Sequence, residues 1–430
     1  MRRLNAHIVL EYLRDSGAVT ATEIMAATGL SRPTVHAVCD DWIGLGWVTE
    51  VEGRKPEGAG RPGRRNRCYE FNSRAGFVLG IDLGATSIRV RLSDLRGENL
   101  AEEIHHSGHA EISGRDRIAQ TRRTIKLVLT AAGVAAESVL ATAVGVASPV
   151  DSGGRAYGAE HYLRGLSGDD LRKLIGRGYS WPVLLENDAD LAVLGERWRG
   201  VAVGIDNIIV LLAGERLGAG MYLSGRLIRG HRGGAGEMAF LRFVDQVGNT
   251  DGIAQTARKL GTLAVGLEAV LAGEAVPVPH ALPASNAIAS SAATATSGAT
   301  PAPETRFRSR LFTLAEGDPN RVEAGMVFAA ARDSDQVAHR IVEQVAERMA
   351  RIIGILATLL NPEVLVLAGA FAPSLDVLLP PLNRRVAAYT EQLLTVRASG
   401  LGDNGVVLGA TRLAIDHVES ETFERVSLAQ

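Results

Sequence analysis

Apolar residues recur at helical spacing over Leu4, Ile8, Val9, Tyr12 and Leu13, and the pattern stops at Ser16-Gly17, predicting a first helix. Thr20-Ala-Thr-Glu23 has the form of a capping box and opens a second helix through Ala27. Gly29 marks a turn, and Ser31 supplies the N-cap of a third helix whose predicted buried stripe is Val35, Val38, Cys39, Trp42 and Leu45. Arg32, Thr34 and His36 are left facing outward near its N-terminal end, and Gly46 stops it. Two short apolar runs, 47–51 and 68–71, then read as strands flanking a Gly/Pro-rich loop.

From residue 73 onward the period changes. Strands are predicted at 77–82, 87–93 and 100–106, a helix at 115–132, a strand at 141–147, a strand at 183–188 and a helix at 189–198. Ile208-Ile-Val-Leu-Leu212 starts a second cycle of strand, Gly turn and strand. Helices come near 252–272 and 334–360, the latter with Ile341, Val345, Met349, Ile352, Ile353 and Leu356 on one stripe, then a strand at 363–369 and helices near 374–390 and 405–416. Strands alternating with helices describe an α/β domain over 73–430, behind a helical module with a β-hairpin over 1–72. Residues 277–303, biased to Ala, Ser, Thr and Pro, have neither period nor apolar bulk and are expected to be a disordered insertion.

Composition adds bounds. At 430 residues and 46% apolar content the chain has room for two or three cores. No run approaches a membrane span and the first residues have no signal-peptide core, so a cytoplasmic protein with no membrane contact is expected. Cys39 and Cys68 form no Cys-x-x-Cys pattern, which argues against a disulfide framework or a thiolate metal site. The net charge of −2 excludes a generally basic surface. The hairpin loop is the local exception: Arg54, Lys55, Arg61, Arg64, Arg65 and Arg67 stand against only Glu52 and Glu57.

That exception gives the first 72 residues a function. A recognition-helix order followed at once by a basic wing is the layout of a winged helix-turn-helix, with Ser31, Arg32, Thr34 and His36 at base edges and the loop cations along phosphates of double-stranded DNA. A helical module unrelated to DNA and a solvated linker are the plainer alternatives. One recognition helix reads too few bases, so a homodimer or homotetramer on an inverted-repeat operator is expected. In the second region, Val78-Leu-Gly-Ile-Asp-Leu-Gly-Ala-Thr-Ser-Ile-Arg-Val90 reads as strand, tight turn and strand. Gly84 is expected there for a backbone conformation closed to other residues, with Asp82 and Thr86 facing a phosphate or metal; an ordinary hairpin is the alternative.

Seven motifs taken in order resemble the ROK family of repressors, uncharacterised reading frames and sugar kinases, specifically its repressor branch. They are Gly80-Ile-Asp-Leu-Gly-Ala-Thr86, Gly145-Val-Ala-Ser-Pro-Val-Asp151, Glu186-Asn-Asp-Ala189, Gly218-Ala-Gly220, Gly233-Gly-Ala-Gly-Glu237, Leu367-Ala-Gly369 and Leu401-Gly-Asp-Asn-Gly-Val-Val-Leu-Gly-Ala410. The resemblance implies an actin-like (ribonuclease H-like) fold of two α/β lobes around a cleft that holds sugar and, in the kinases, ATP and magnesium. It makes Asp82, Gly84 and Thr86 a phosphate turn, Asn187 and Asp188 a sugar-binding pair with Asp188 the general base, and Glu237 a sugar contact. A plain helix N-cap remains the alternative for Asn187 and Asp188.

Departures from the family pattern matter as much. Gly214-Glu-Arg216 stands where the kinases carry a Gly-Thr-Gly phosphate loop. A carboxylate there is expected to repel ATP by about 4 kcal/mol at an effective dielectric near 20, unless Arg216 pairs with Glu215. Phe240 replaces the histidine that binds sugar and zinc, and 247–254 contains no cysteine, so no zinc is expected. The resulting expectation is a DNA-binding regulator of carbohydrate genes, with no cofactor, no catalytic residue and a sensor domain that binds a sugar or sugar phosphate. A sugar kinase, or a regulator whose second domain is only a dimerisation or protein-binding scaffold, are the alternatives.

Overall fold

The computed structural model describes residues 2–52, 67–107, 113–157, 166, 168–272, 308–369, 371, 374–390 and 394–428. The expected insertion at 277–303 lies outside the described residues. The described chain forms two compact units, one of residues 1–210, 219–237 and 404–430, the other of 211–218 and 238–403.

The first unit begins with α1 (Arg2–Asp15), β1 (Val19–Thr20), α2 (Ala21–Thr28) and α3 (Arg32–Gly44), followed by β2 (Val48–Glu52) and β3 (Arg67–Phe71). Thr20 and Glu23 make the reciprocal capping box, and Gly29 closes α2 in the left-handed conformation at φ 70°. Ser31 caps α3, with Pro33 in the first turn where its missing N–H costs nothing. Val35, Val38, Cys39 and Trp42 are buried as the spacing requires, but Leu45 is 44% exposed. It is the C-cap residue, already turned off the helical stripe. The sequence pattern also missed β1, which pairs antiparallel with β3 and makes the hairpin a three-stranded sheet in the order β1-β3-β2.

The winged module is tied to the rest of the first unit. Arg14 on α1 donates to Glu419 at 2.6 Å, and Arg96 donates to the Ser16 carbonyl at 2.8 Å and sits over the Phe71 ring. The junction at 72/73 therefore falls inside a compact unit.

Next come β4 (Phe77–Leu83), β5 (Ser87–Asp94), β6 (Asn99–His106), α4 (Gly114–Ala132), β7 (Val139–Val146), α5 (Gly168–Gly176), β8 (Val183–Asn187) and α6 (Asp188–Arg199). The sheet order is β6-β5-β4-β7-β8, antiparallel across the first three strands and parallel from β4 through β8, as an actin-like lobe demands. Leu79, Ile81 and Leu83 belong to one core cluster with Ile118, Ile125 and Val128 of α4. After α6 come β9 (Ile208–Leu212), β10 (Gly218–Leu223) and β11 (Arg226–Leu227), the last two a hairpin.

The second unit contains α7 (Ile253–Ala272), α8 (Arg310–Leu314), α9 (Ala324–Arg332), α10 (Gln336–Leu360), β12 (Val364–Ala368), α11 (Leu379–Tyr389) and β13 (Thr395–Ala398). All six predicted stripe residues of α10 are buried, and β12 pairs parallel with β13. The final helix, α12 (Gly405–Leu428), extends beyond the predicted 405–416 and returns to the first unit. It lies directly on α6. A Cβ on Gly409 would sit 1.8 Å from the Leu191 carbonyl, so only glycine lets the two backbones approach this closely. No described helix is long and apolar enough to cross a membrane.

Candidate functional site

The first unit holds two candidate sites, one on α3 and one at the head of α6. On α3, Ser31 Oγ lies 2.8 Å from Thr34 Oγ1, and Arg32 is exposed with one guanidinium nitrogen 3.2 Å from Thr22 Oγ1. His36 is half-buried rather than fully outward, with Nδ1 2.7 Å from the Tyr69 hydroxyl. Arg67 lies on β3 rather than in the loop, donates to Glu50 at 2.6 Å, reaches Asp40 at 3.5 Å and sits over the Tyr69 ring. Arg54, Lys55, Arg61, Arg64 and Arg65 lie outside the described residues.

At the head of α6, Asn187 is the N-cap: its Oδ1 accepts from Ala189 and Asp190 N–H at 2.9 and 3.2 Å, and its Nδ2 donates to the Ser148 carbonyl at 3.1 Å. The capping alternative is thus fulfilled by geometry, which leaves Asn187 few free polar directions. Asp188, the first helical residue, has its carboxyl pushed up to about 7, first by burial, then by the negative charges of Asp82 and Glu237. The structure therefore brings together Asp82 from the end of β4, Asp188 from α6 and Glu237 from the glycine loop, residues far apart along the chain. Gly236 makes the approach of that loop possible: at φ 86° a Cβ would meet the Ala219 carbonyl at 1.8 Å.

Behind this trio is a charge system that the motifs did not reveal. Glu186, 4% exposed, is ion-paired with Arg229, whose Nε donates at 2.7 Å. Asp190, 2% exposed, has one carboxylate oxygen without a described hydrogen-bond partner, and burial and then Glu186 push its carboxyl up to about 8 against the opposing pull of Arg229. An acid at the third helical residue reads in sequence as ordinary first-turn decoration, and nothing local marks Arg229 as its neighbour.

The turn at 84–86 differs from expectation. Gly84 is not in the positive-φ region; what its missing side chain spares is the Ser87 carbonyl, 3.1 Å from where a Cβ would lie. The carbonyls of Gly84 and Ala85 accept from Arg117 of α4 at 2.7 and 2.9 Å, so the turn is held by a buried cation on its carbonyl side.

In the second unit, Glu215 pairs with Arg258, not with Arg216: Arg258 Nη1 donates to Oε1 at 2.7 Å and Nη2 to Oε2, while Gln255 also accepts from Arg258. The like-charge penalty expected from a bare carboxylate is correspondingly reduced. A different feature ties the segment to α7. The first N–H groups of α7, ordinarily without helical partners, bond to segment carbonyls: Ile253 to Ala213 at 2.7 Å, and Ala254 and Gln255 to Gly214 at 3.1 and 3.4 Å. Gly252 N–H bonds to the Glu215 carbonyl at 2.9 Å. These amides at the start of α7 are already used and offer nothing to a magnesium-bound triphosphate, so that helix end does not fit the group; the amides of Gly214, Glu215 and Arg216 are not among those used.

Nor does the loop at 247–251 fit zinc. Arg348 of α10, 8% exposed, fills it, donating to the carbonyls of Asp251 at 2.6 Å and Asn249 at 2.8 Å, and to Asn249 Oδ1 at 2.8 Å. A buried guanidinium bonded to loop oxygens excludes a second cation from the same place. Phe240, in the position of the missing histidine, is 41% exposed.

Comparisons with known proteins identify the family. The ROK family model matches residues 78–256 and 286–417, and a MarR family model matches 3–61. A xylose repressor of Caldicellulosiruptor bescii is 25% identical across 98% of this chain and 97% of its own. A glucokinase of Thermotoga maritima is 26% identical over 79% of this chain and 98% of its own. Among solved structures, a ROK family transcriptional regulator described as a homolog of the E. coli MLC protein superposes with TM-score 0.73 at 20% identity, covering 100% of this chain and 99% of that one. A ROK glucokinase from Streptomyces griseus in complex with glucose and AMPPNP gives 0.59 at 21% identity over 79% of this chain and 100% of that one. With the family model covering most of the chain and a winged helix-turn-helix in front of it, this protein belongs to the ROK family.

Proposed function

We propose that this protein is a sequence-specific DNA-binding repressor of carbohydrate genes, whose ROK domain senses a sugar and does not phosphorylate it. The observation that carries the reading is the union, along one chain, of a Ser31-capped recognition helix and a ROK domain whose phosphate segment carries Glu215 and Arg216 and is tied through its carbonyls to α7. Relatives that share nearly the full length of the chain and are named xylose repressors support it, and make a neutral pentose the first effector to try. In this reading Asn187, Asp188 and Glu237 meet sugar hydroxyls; a carboxyl poised near neutrality can accept or donate such a hydrogen bond. Ser31, Arg32, Thr34 and His36 meet base edges, the loop cations through Arg64 and Arg65 meet phosphates, and a homodimer places two such helices on an inverted repeat in the cytoplasm.

The test is duplex DNA selected from a genomic fragment pool by the full chain. Binding should be selective, should weaken steeply with salt, and should be released by the effector sugar. Arg64→Ala with Arg65→Ala should weaken all sequences alike and flatten the salt dependence. A chain lacking residues 1–72 that kept full DNA affinity would falsify the proposal. The kinase alternative has Asp82 and Asp188 in its favour; ATP turnover with a sugar, abolished by Asp188→Asn, would establish it instead.

A further inference from the structure

The strongest unassigned contact in the DNA-facing module is between His36 of α3 and Tyr69 of β3, and the inference drawn from it rests on the proposed DNA-binding function. Tyr69 is fully buried at 0% exposure, yet its hydroxyl lies 2.7 Å from His36 Nδ1, with the rings edge to face at 6.1 Å between centroids. Burial pushes the phenol up to about 12, so the hydroxyl keeps its proton. Between a phenol and an uncharged imidazole, the phenol is the stronger acid and the bare ring nitrogen the better acceptor. The Tyr69 hydroxyl therefore donates and His36 Nδ1 accepts. The single ring proton of the uncharged imidazole must then reside on Nε2, on the other side of the ring.

We infer that Tyr69 is a positioning residue that fixes His36 as a hydrogen-bond donor through Nε2, and that His36 thereby selects a base offering an acceptor in the major groove, guanine above all, and rejects cytosine. Guanine presents two acceptors there, O6 and N7, whereas cytosine presents only the donor N4 amine. A histidine without a partner behind it can take either tautomer and serve either base. Its ring is also free to turn. The buried tyrosine removes both freedoms without itself touching DNA. Arg67 sits over the same Tyr69 ring, is tied to Glu50 and reaches Asp40 of α3, so the wing strand and α3 together hold the arrangement.

The experiment is in vitro selection from randomised duplexes by the full chain at pH 8, comparing wild type with His36→Ala and Tyr69→Phe. His36→Ala identifies the position it reads, as the one whose base preference flattens. At that position wild type should prefer guanine, and replacing this guanine with 7-deazaguanine or with cytosine should cost about fivefold or more in affinity. Tyr69→Phe keeps the ring and its packing; it should narrow the guanine-to-cytosine ratio about fivefold while leaving affinity for random DNA unchanged. Its melting temperature, measured alongside, verifies that the module is folded. A folded Tyr69→Phe protein with the wild-type base ratio would overturn the inference, as would a wild-type preference for cytosine or a His36→Ala protein with no flattened position. Each of these leaves the repressor reading standing. Wild-type protein that selects no sequence at all would instead remove the repressor reading and this inference with it.

Discussion

The head of α6 in the first unit and the segment 213–217 in the second treat a carboxylate in opposite ways. At α6, Asp188 faces Asp82 and Glu237, and burial adds to their repulsion, so its proton is held to about neutral pH. At 213–217, Glu215 is met by Arg258, and the backbone donors nearby are taken by carbonyls. The first arrangement gathers three acidic side chains in one place, which is what the proposed contact with sugar hydroxyls rests on. In the second, Glu215 already has its cation and the start of α7 already has its acceptors, so neither is offered to a polyphosphate. An unfinished polar site invites a ligand; a finished one holds a fold.

The comparison can be broken most sharply by ligand. A sugar effector should raise the melting temperature of wild type and not of Asp188→Asn, whereas ATP with magnesium should shift neither; a clear ATP shift in wild type would show that the 213–217 segment is not closed. The double change Glu215→Thr with Arg216→Gly then asks whether side chains or the carbonyl contacts do the closing: no gain of ATP binding is expected, because the Ala213 and Gly214 carbonyls remain on α7.

Arg348→Met is the next largest effect. It removes the charged donor that the part-exposed carbonyls of Asn249 and Asp251 share, at about 2 kcal/mol, or roughly a 4–8 °C drop in melting temperature. A chelator should leave the wild-type melting temperature unchanged, and elemental analysis should find no stoichiometric zinc.

A smaller, pH-dependent effect should come from Asp190. Its folded-state pKa is raised, so the stability tied to its proton is fully present below the unfolded value near 4 and is lost as pH rises through about 8. Asp190→Asn has no such proton to lose. Relative to wild type it should change little at pH 4.5 and gain on the order of 5 °C at pH 8.5; equal differences at both pH values would contradict the assignment. Smallest of all, Glu215→Gln should cost about 1 kcal/mol or less, because the Glu215 side of the Arg258 pair is half exposed to solvent.

Local chemistry is legible in the sequence wherever it acts over a few residues. Thr20 with Glu23, Gly29, Ser31 and the α10 stripe all appear where propensity and period put them, because capping and amphipathicity are satisfied within one or two turns. Leu45 departs from its expected burial because the helix ends one residue before its period does. The strands β1 and β13 escape the pattern because short edge segments take their identity from a partner strand, not from their own sequence.

The sequence by itself determined the order of most elements and the motifs that pick out Asp82, Asn187, Asp188 and Glu237. Only the tertiary structure decided how charges and donors are matched: Glu215 with Arg258 instead of Arg216, Glu186 with Arg229, Arg348 in the 247–251 loop, Tyr69 behind His36. The reason is range. A cap or a stripe depends on residues a few positions apart, whereas the cost of a buried charge depends on everything within several ångströms in space, and those neighbours come from 33 to 99 positions away in the Tyr69 and Arg348 contacts.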